Sequence, residues 1–292
     1  MVKTNRESLL EIAVVGEITH PAIDSRYVNN WDGKPSVGLG QGGIVYNVKP
    51  GTSCFGWAWG EKVEPGVSAD GIGNDRAKGS FRNFTCVGNR AKVVKGEAKG
   101  KEGMVVGKVG GLPDGNHHVV IYFEEKVLDE LSIGDKLQVR SAGVGLTFDD
   151  HPDVRAVGIS PQLLDSMGLT DKDGKLGVPV TTVIPADYVG QGSGGAPVEA
   201  SCWNVMTQDP EALEHLKDVK IGDIVALKDI LSAWGRGYYE NAYTIGVVST
   251  GASGKLGQGI GVTTLLTCKE GEIKPIIKKD ANIGKYFKLG GI

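Results

Sequence analysis

The sequence predicts a mainly β protein built from small β-barrel-like modules with a few short helices, and three observations carry that prediction. Apolar residues recur in short β-branched runs bounded by Gly, Pro, Asn and Asp, with little trace of a 3.6-residue period. Gly accounts for 45 of 292 residues, about 15% and roughly twice the usual share, which predicts many turns. Hydrophobic residues at 40% and charged residues at 23% are ordinary globular values, and a chain of this length buries enough apolar area to fold without staples.

Taken in order, the strand signals cover Glu11 to Ile18, Gly43 to Val48, Ala91 to Lys95, Met104 to Val109, His118 to Phe123 and Lys136 to Arg140. They resume at Val178 to Ile184, Ile224 to Leu227, Tyr243 to Val248 and Gly261 to Cys268. Most are four to eight residues long, the span of a strand between turns. Helix signals are fewer. Glu125 to Leu131 is a short candidate, Ser160-Pro161 through Gly168 has an N-cap, Pro at the first helical position and a closing Gly, and Asp209-Pro210 opens a third. Phe55, Trp57 and Trp59 alternate, so a strand there would put all three rings on one face, as core or as an aromatic floor. Trp234, Tyr238 and Tyr239 suggest a second aromatic surface.

One pattern occurs twice. Leu131-Ser132-Ile133-Gly134-Asp135-Lys136-Leu137 and Val219-Lys220-Ile221-Gly222-Asp223-Ile224-Val225 each place a Gly-Asp turn before an apolar strand. Gly supplies unusual backbone angles and Asp bonds neighbouring N–H groups. This is either common turn chemistry used twice or the record of two related modules. A soft boundary near 150 separates an N-terminal β module (1–150) from a C-terminal β-rich module with short helices (151–292), and two intertwined modules would read the same way.

The net charge of −3 gives no field to collect nucleic acid or anionic lipid. The four cysteines, Cys54, Cys86, Cys202 and Cys268, form no C-x-x-C pair, so four reduced, buried thiols are expected. Met1 to Glu7 lacks the order of a signal peptide and no apolar run nears the roughly 18 residues of a membrane span, so the expected setting is the cytoplasm.

Read together, Gly42-Gly43-Ile44-Val45-Tyr46-Asn47-Val48, Val63-Glu64-Pro65-Gly66-Val67-Ser68, Cys86-Val87-Gly88-Asn89 and Gly96-Glu97-Ala98-Lys99-Gly100 form one series with Val178-Pro179-Val180-Thr181, Gly222-Asp223-Ile224-Val225-Ala226 and Gly261-Val262-Thr263-Thr264-Leu265-Leu266-Thr267. In this series the chain resembles family 4438 of the domains of unknown function, a bacterial family with no established activity. Relatives in that family often carry His where this chain has Val109, and His and Asp where it reads Ser249-Thr250-Gly251-Ala252. The resemblance therefore implies membership and no particular reaction.

Several segments carry candidate chemistry. In Gly190-Gln191-Gly192-Ser193-Gly194-Gly195-Ala196-Pro197, Gly192, Gly194 and Gly195 permit a tight turn with converging N–H groups, as in oxyanion holes and anion nests. The loop is open to three readings: plain turn, ligand loop, or a setting for Ser193 as nucleophile. Asp75 and Arg76, in the polar stretch 71–80 expected to be a loop, would with Asn89 bind a small polar carboxylate through an Arg clamp. Glu97 and Lys99 are the candidate general acid and base beside that clamp. Asp149-Asp150-His151-Pro152-Asp153 holds ligand residue types, but its spacing favours a solvated acidic turn. His117-His118 points one ring to the core and the other to solvent, His20 converges with Asp24 across a turn, and no metal site is assigned. No motif identifies a cofactor.

These features favour an enzyme of small-molecule metabolism, of hydrolase or lyase type, with its site on Gly-rich polar loops. The alternative is a non-catalytic metabolite-binding or oligomeric assembly protein. The expected partners are a small-molecule ligand and further copies of the chain in a homo-oligomer, since mainly β chains often bury strand edges in subunit contacts. Neither nucleic acid nor membrane is expected.

Overall fold

The computed structural model describes residues 2–21, 27–38, 41–58, 60–110, 117–190, 197–200 and 202–291. Its first half is a closed antiparallel barrel, barrel one. Strands β1 (Ile12–Ile18), β2 (Gly66–Gly71), β3 (Arg90–Lys95), β4 (Glu102–Val109), β5 (His118–Tyr122) and β6 (Lys136–Ser141) pair in the order β1-β6-β3-β4-β5-β2, and β2 returns to β1. Alternation dictates the interior. Val14 and Ile18 of β1 face inward with Val67, Ala69, Val105, Val119, Ile121, Leu137 and Val139, all buried in one cluster. Helix α1 (Asp75–Phe84) crosses one mouth on its way from β2 to β3, and α2 (Glu125–Leu128) follows β5 at the other.

The second half builds barrel two from β7 (Thr182–Ile184), β8 (Cys202–Met206), β9 (Ile224–Leu231), β10 (Gly237–Thr250) and β11 (Gly259–Cys268) in the order β7-β9-β10-β11-β8. The circle closes where the chain beyond β7 bridges β8, Val189 opposite Val205 and Gly190 N–H donating to the Asn204 carbonyl at 2.8 Å. Helix α3 (Pro161–Met167) links the halves, and α4 (Pro210–Leu216) lies between β8 and β9. A three-stranded sheet of Thr170–Lys172, Lys175–Val180 and Ile273–Ile277 flanks the pair, and α5 (Ile283–Phe287) ends the chain's regular structure. The outer faces of both barrels meet in the largest apolar cluster, which includes Val106, Val120, Tyr122, Ile224, Ala226, Ile245 and Val247.

The two barrels share one hydrogen-bonding plan with a different chain order. Gly134 N–H donates to Ile18 O and Ile18 N–H to Asp135 O, while Gly222 N–H donates to Val248 O and Val248 N–H to Asp223 O. Extending that register outward matches β1 with β10, β2 with β11, β5 with β8, β6 with β9, and Val105 with Val189. Inward residues then correspond: Val119 with Trp203, Ile121 with Val205, Leu137 with Val225, Ile18 with Val248, and Ala69 with Val262. The pair β1-β2 opens barrel one, whereas its counterpart β10-β11 closes barrel two, so the plan is circularly permuted. One position reverses, since β7 runs parallel to β9 whereas β3 runs antiparallel to β6.

The halves also interlock. Val48, Cys54 and Val63, from the excursion between Ile44–Val45 and β2, lie in barrel two's core, and Cys54 N–H donates to the Val219 carbonyl.

Most expected strands are present, with four differences. Residues 75–80 of the expected polar loop belong instead to α1, capped by Asn74, whose side chain accepts from Ala77 N–H. Phe81 is its one buried side chain, too little to set a period. Cys54 to Trp57 is irregular, because Gly56 sits at φ +87, and Trp59 lies outside the described residues. Val178 to Ile184 divides between two sheets at Thr181. Strands β2, β8 and Ile273–Ile277 went unanticipated.

Candidate functional site

The site is built where the mouth of barrel one meets the mouth of barrel two. At barrel one, Gly16 and Gly71 pair directly, and the ring of Phe81 enters beside them: a Cβ on Gly16 would sit 2.6 Å from Phe81 Cζ. One residue on, Arg82 grips Asp70 through two bonds, Nε to Oδ1 at 2.7 Å and Nη2 to Oδ2 at 2.5 Å, and its Nη1 lies 3.3 Å from His117 Nδ1. Burial, then the Arg82 charge, pulls the His117 imidazole below its usual range, with Asp70 opposing. The Nε2 atom of His117 is buried and has no partner among the described residues.

Lys108 of β4 pairs with Val119 and so points into the same barrel. It is fully buried, and its Nζ donates to the Glu199 carbonyl. Burial pulls its ammonium from 10.5 down to about 8, opposed by Cys86 and Glu199. Glu199 lies in the short turn Val198–Ala200 and joins the two mouths. Its carboxylate accepts from Arg155, which also donates to the Ala233 carbonyl and lies 3.7 Å from the centre of the Trp234 ring. Arg236, in the turn between β9 and β10, sits 5.4 Å over Trp203; burial lowers its guanidinium, with Cys202 and Glu199 opposing. Ala186, Val189, Trp203, Ile230, Arg236, Gly237 and Tyr238 line a cleft of about 370 Å³ at this second mouth. Among the described residues, Glu199 thus gathers three cations: Arg155 on its carboxylate, Lys108 on its backbone carbonyl, and Arg236 close enough to feel its charge.

A second polar cluster occupies the outer face of barrel one. Glu64 Oε2 is 2.7 Å from His118 Nε2, accepts from Ser68 Oγ at 2.7 Å, and accepts from Gly42 N–H at 3.3 Å. Its Oε1 is buried without a partner among the described residues. Nearby in sequence, Lys62 Nζ donates to Asn204 Oδ1.

The sequence-derived candidates fall in separate places. Gly192, Ser193, Gly194 and Gly195 lie outside the described residues, as does Asp24. Asp75 and Arg76 are exposed in the first turn of α1, at the barrel-one mouth that α1 crosses. Glu97 and Lys99 are exposed on the turn between β3 and β4, which antiparallel connectivity places at the opposite mouth. The acid and base are therefore not beside the clamp. Asn89 is buried and fully engaged with backbone: its Oδ1 accepts from Cys86 N–H at 2.8 Å and its Nδ2 donates to the Ala142 carbonyl at 2.9 Å. His151, expected in a solvated turn, is buried 3.5 Å from Asp171. Among the described residues no three His, Cys, Asp or Glu side chains gather as a metal centre. Nor is any described helix long and apolar enough to cross a membrane.

Lys108, Glu199, Arg155, Arg236 and Glu64 were not singled out from the sequence as site residues. The available signal was a lone Lys inside an apolar strand and the Glu-Lys-Val-Glu run at 61–64; each charge is buried only because distant segments close over it.

Fold and seam together define a double-barrel protein with a partly buried cationic cluster between its mouths. The chain belongs to family 4438 of the domains of unknown function: the model of the family's N-terminal domain matches residues 27–165 and that of its C-terminal domain matches residues 166–287. It is also similar to TM1086, whose crystal structure superposes with a TM-score of 0.90 at 40% identity, covering 98% of this chain and 99% of that one. A comparison with curated proteins finds no match.

Proposed function

We propose that the protein is an enzyme of small-molecule metabolism, of hydrolase or lyase type, that handles an anionic substrate at the seam between the barrel mouths. The observation that carries this reading is Lys108, enclosed in barrel one with its Nζ on Glu199 O and its ammonium pulled down to about 8. A lysine held near that value exchanges protons close to neutral pH, as a general base or acid must. Arg155 and Arg236 add guanidinium forks suited to a carboxylate or phosphate. In this reading Ser193, six residues before Glu199 in the chain, is the candidate nucleophile of the Gly-rich loop. The four cysteines are buried thiols, which supports a reducing, cytoplasmic setting.

The test is a turnover screen over small carboxylates, carboxylic esters and phosphoesters, repeated on Lys108→Met and Ser193→Ala. Lys108→Met should lower kcat by about 10²–10⁴ with folding intact. Unchanged turnover in that variant overturns the role given to Lys108.

A second reading, metabolite binding without turnover, draws support from one observation: the Lys108 amine is shut from solvent and already held by a carbonyl. Saturable binding with no product across the same screen would favour it.

A further inference from the structure

The matched plans of the two barrels expose a difference at their mouths. In barrel one the chain leaving β2 forms α1 across the opening, and Phe81 fills it beside Gly16 and Gly71. In barrel two the matching strand, β11, is followed by a turn into Ile273–Ile277, and among the described residues no α-helix crosses the mouth. Larger residues fill the interior instead: Trp203 stands where barrel one has Val119, and Val262 where it has Ala69. Of the two, Trp203 reaches the rim, where a cleft of about 370 Å³ remains.

The floor of that cleft is a fixed aromatic plane. Trp203 is nearly buried, and its Nε1–H donates to Ser232 Oγ. Ser232 is held in turn, since its N–H donates to Thr267 Oγ1 at 3.1 Å and its Oγ accepts from Thr244 Oγ1 at 3.2 Å. Ala186, Val189 and Ile230 make apolar walls, Tyr238 stands at the rim 66% exposed, and Arg236 brings a positive charge against the indole. A flat apolar body against Trp203 with an anionic group toward Arg236 satisfies both kinds of surface at once.

We infer that the cleft at the mouth of barrel two is the binding chamber for a small planar anion, an aromatic or conjugated carboxylate. The inference rests on reading the seam as a small-molecule site, and it adds the class of molecule and the barrel that holds it.

The experiment uses the full chain and titrates benzoate, with neutral benzamide and inorganic phosphate as controls, by calorimetry and by Trp fluorescence. Benzoate should bind, benzamide about tenfold or more weaker, and phosphate weaker still, as expected when both a charge pair and a ring contact contribute. Arg236→Gln should weaken benzoate by about tenfold or more, and Ala186→Phe, which fills the chamber, should abolish binding. Tyr238→Ala, at an exposed position that folding tolerates, should weaken it by about threefold. Lys108→Met should keep benzoate affinity, so a failed catalytic reading leaves this result standing. Equal binding of benzoate and benzamide, full affinity in Ala186→Phe, or no benzoate binding by the folded wild type at millimolar concentration would each overturn the inference.

Discussion

Asp135 and Asp223 hold the same turn in the two barrels: each Oδ2 accepts the N–H three residues back, from Ser132 and from Lys220, at 2.9 Å in both cases. Each follows a Gly with φ near +90, Gly134 at +90 and Gly222 at +87, a conformation costly for other residues. The repeated Ile-Gly-Asp pattern is thus one structural device placed at matching points, not turn chemistry reused in unrelated settings.

Removing either carboxylate leaves a turn N–H without its acceptor. Asp135→Ala should cost about 1–3 kcal/mol. Asp223→Ala should cost more, because Asn282 Nδ2 also donates to Asp223, at 2.7 Å. Urea unfolding checks the order; equal losses would count against it.

Phe81→Ala should destabilise by about 3–5 kcal/mol through the cavity it leaves in the barrel-one mouth. Gly16→Ala should also destabilise, since the new Cβ meets the Phe81 ring. Because the two share that ring, the double variant should lose less than the sum of the singles, as a thermodynamic cycle reads directly. Strict additivity would mean the ring does not confine Gly16.

Lys108 makes a signed prediction for pH. Its folded value of about 8 lies below the ordinary 10.5, so between those values the unfolded chain binds more protons and stability rises with pH. Lys108→Met should flatten that rise and stabilise the protein at pH 7, by on the order of 3 kcal/mol or less. Denaturant midpoints at pH 7, 8, 9 and 10 for both proteins test it, and parallel curves would refute it.

His118→Leu should cost about 1.5–3 kcal/mol by stripping a hydrogen bond from the buried Glu64 carboxylate. Glu64→Gln in the same background should recover part of the loss, because an amide is cheaper to bury than a carboxylate. Lack of any recovery would show that His118 acts by packing alone.

Local chemistry was readable wherever few residues decide the outcome. Ser160, Pro161 and Gly168 mark α3 residue by residue: Ser160 Oγ accepts from Leu163 N–H at 3.1 Å, and Gly168 turns left-handed at φ +67. The fold class followed from strand length and turn density for the same reason. Helix α1 was hidden because one anchor, Phe81, replaces an apolar stripe, and β2 because Gly66 to Gly71 is buried by closure and has a single β-branched residue, Val67. The permuted repeat left a trace beyond Ile-Gly-Asp: Pro113 precedes Val119, and Pro197 precedes Trp203, by the same six residues, each after a Gly-Gly pair. Glu64 and Lys108 stayed obscure because their burial depends on partners across the fold.

The excursion carrying Val48, Cys54 and Val63 has a consequence during synthesis. Its apolar side chains belong against Val225, Val248 and Val262, and β11 ends at Cys268, 205 residues after Val63. At about 5–20 residues per second a ribosome needs roughly 10–40 s to cover that distance. During that interval barrel one can close while this segment waits uncovered. A nascent chain stalled just after barrel one should therefore present residues 48–63 to a holding chaperone, and release them only when the last strand of barrel two emerges.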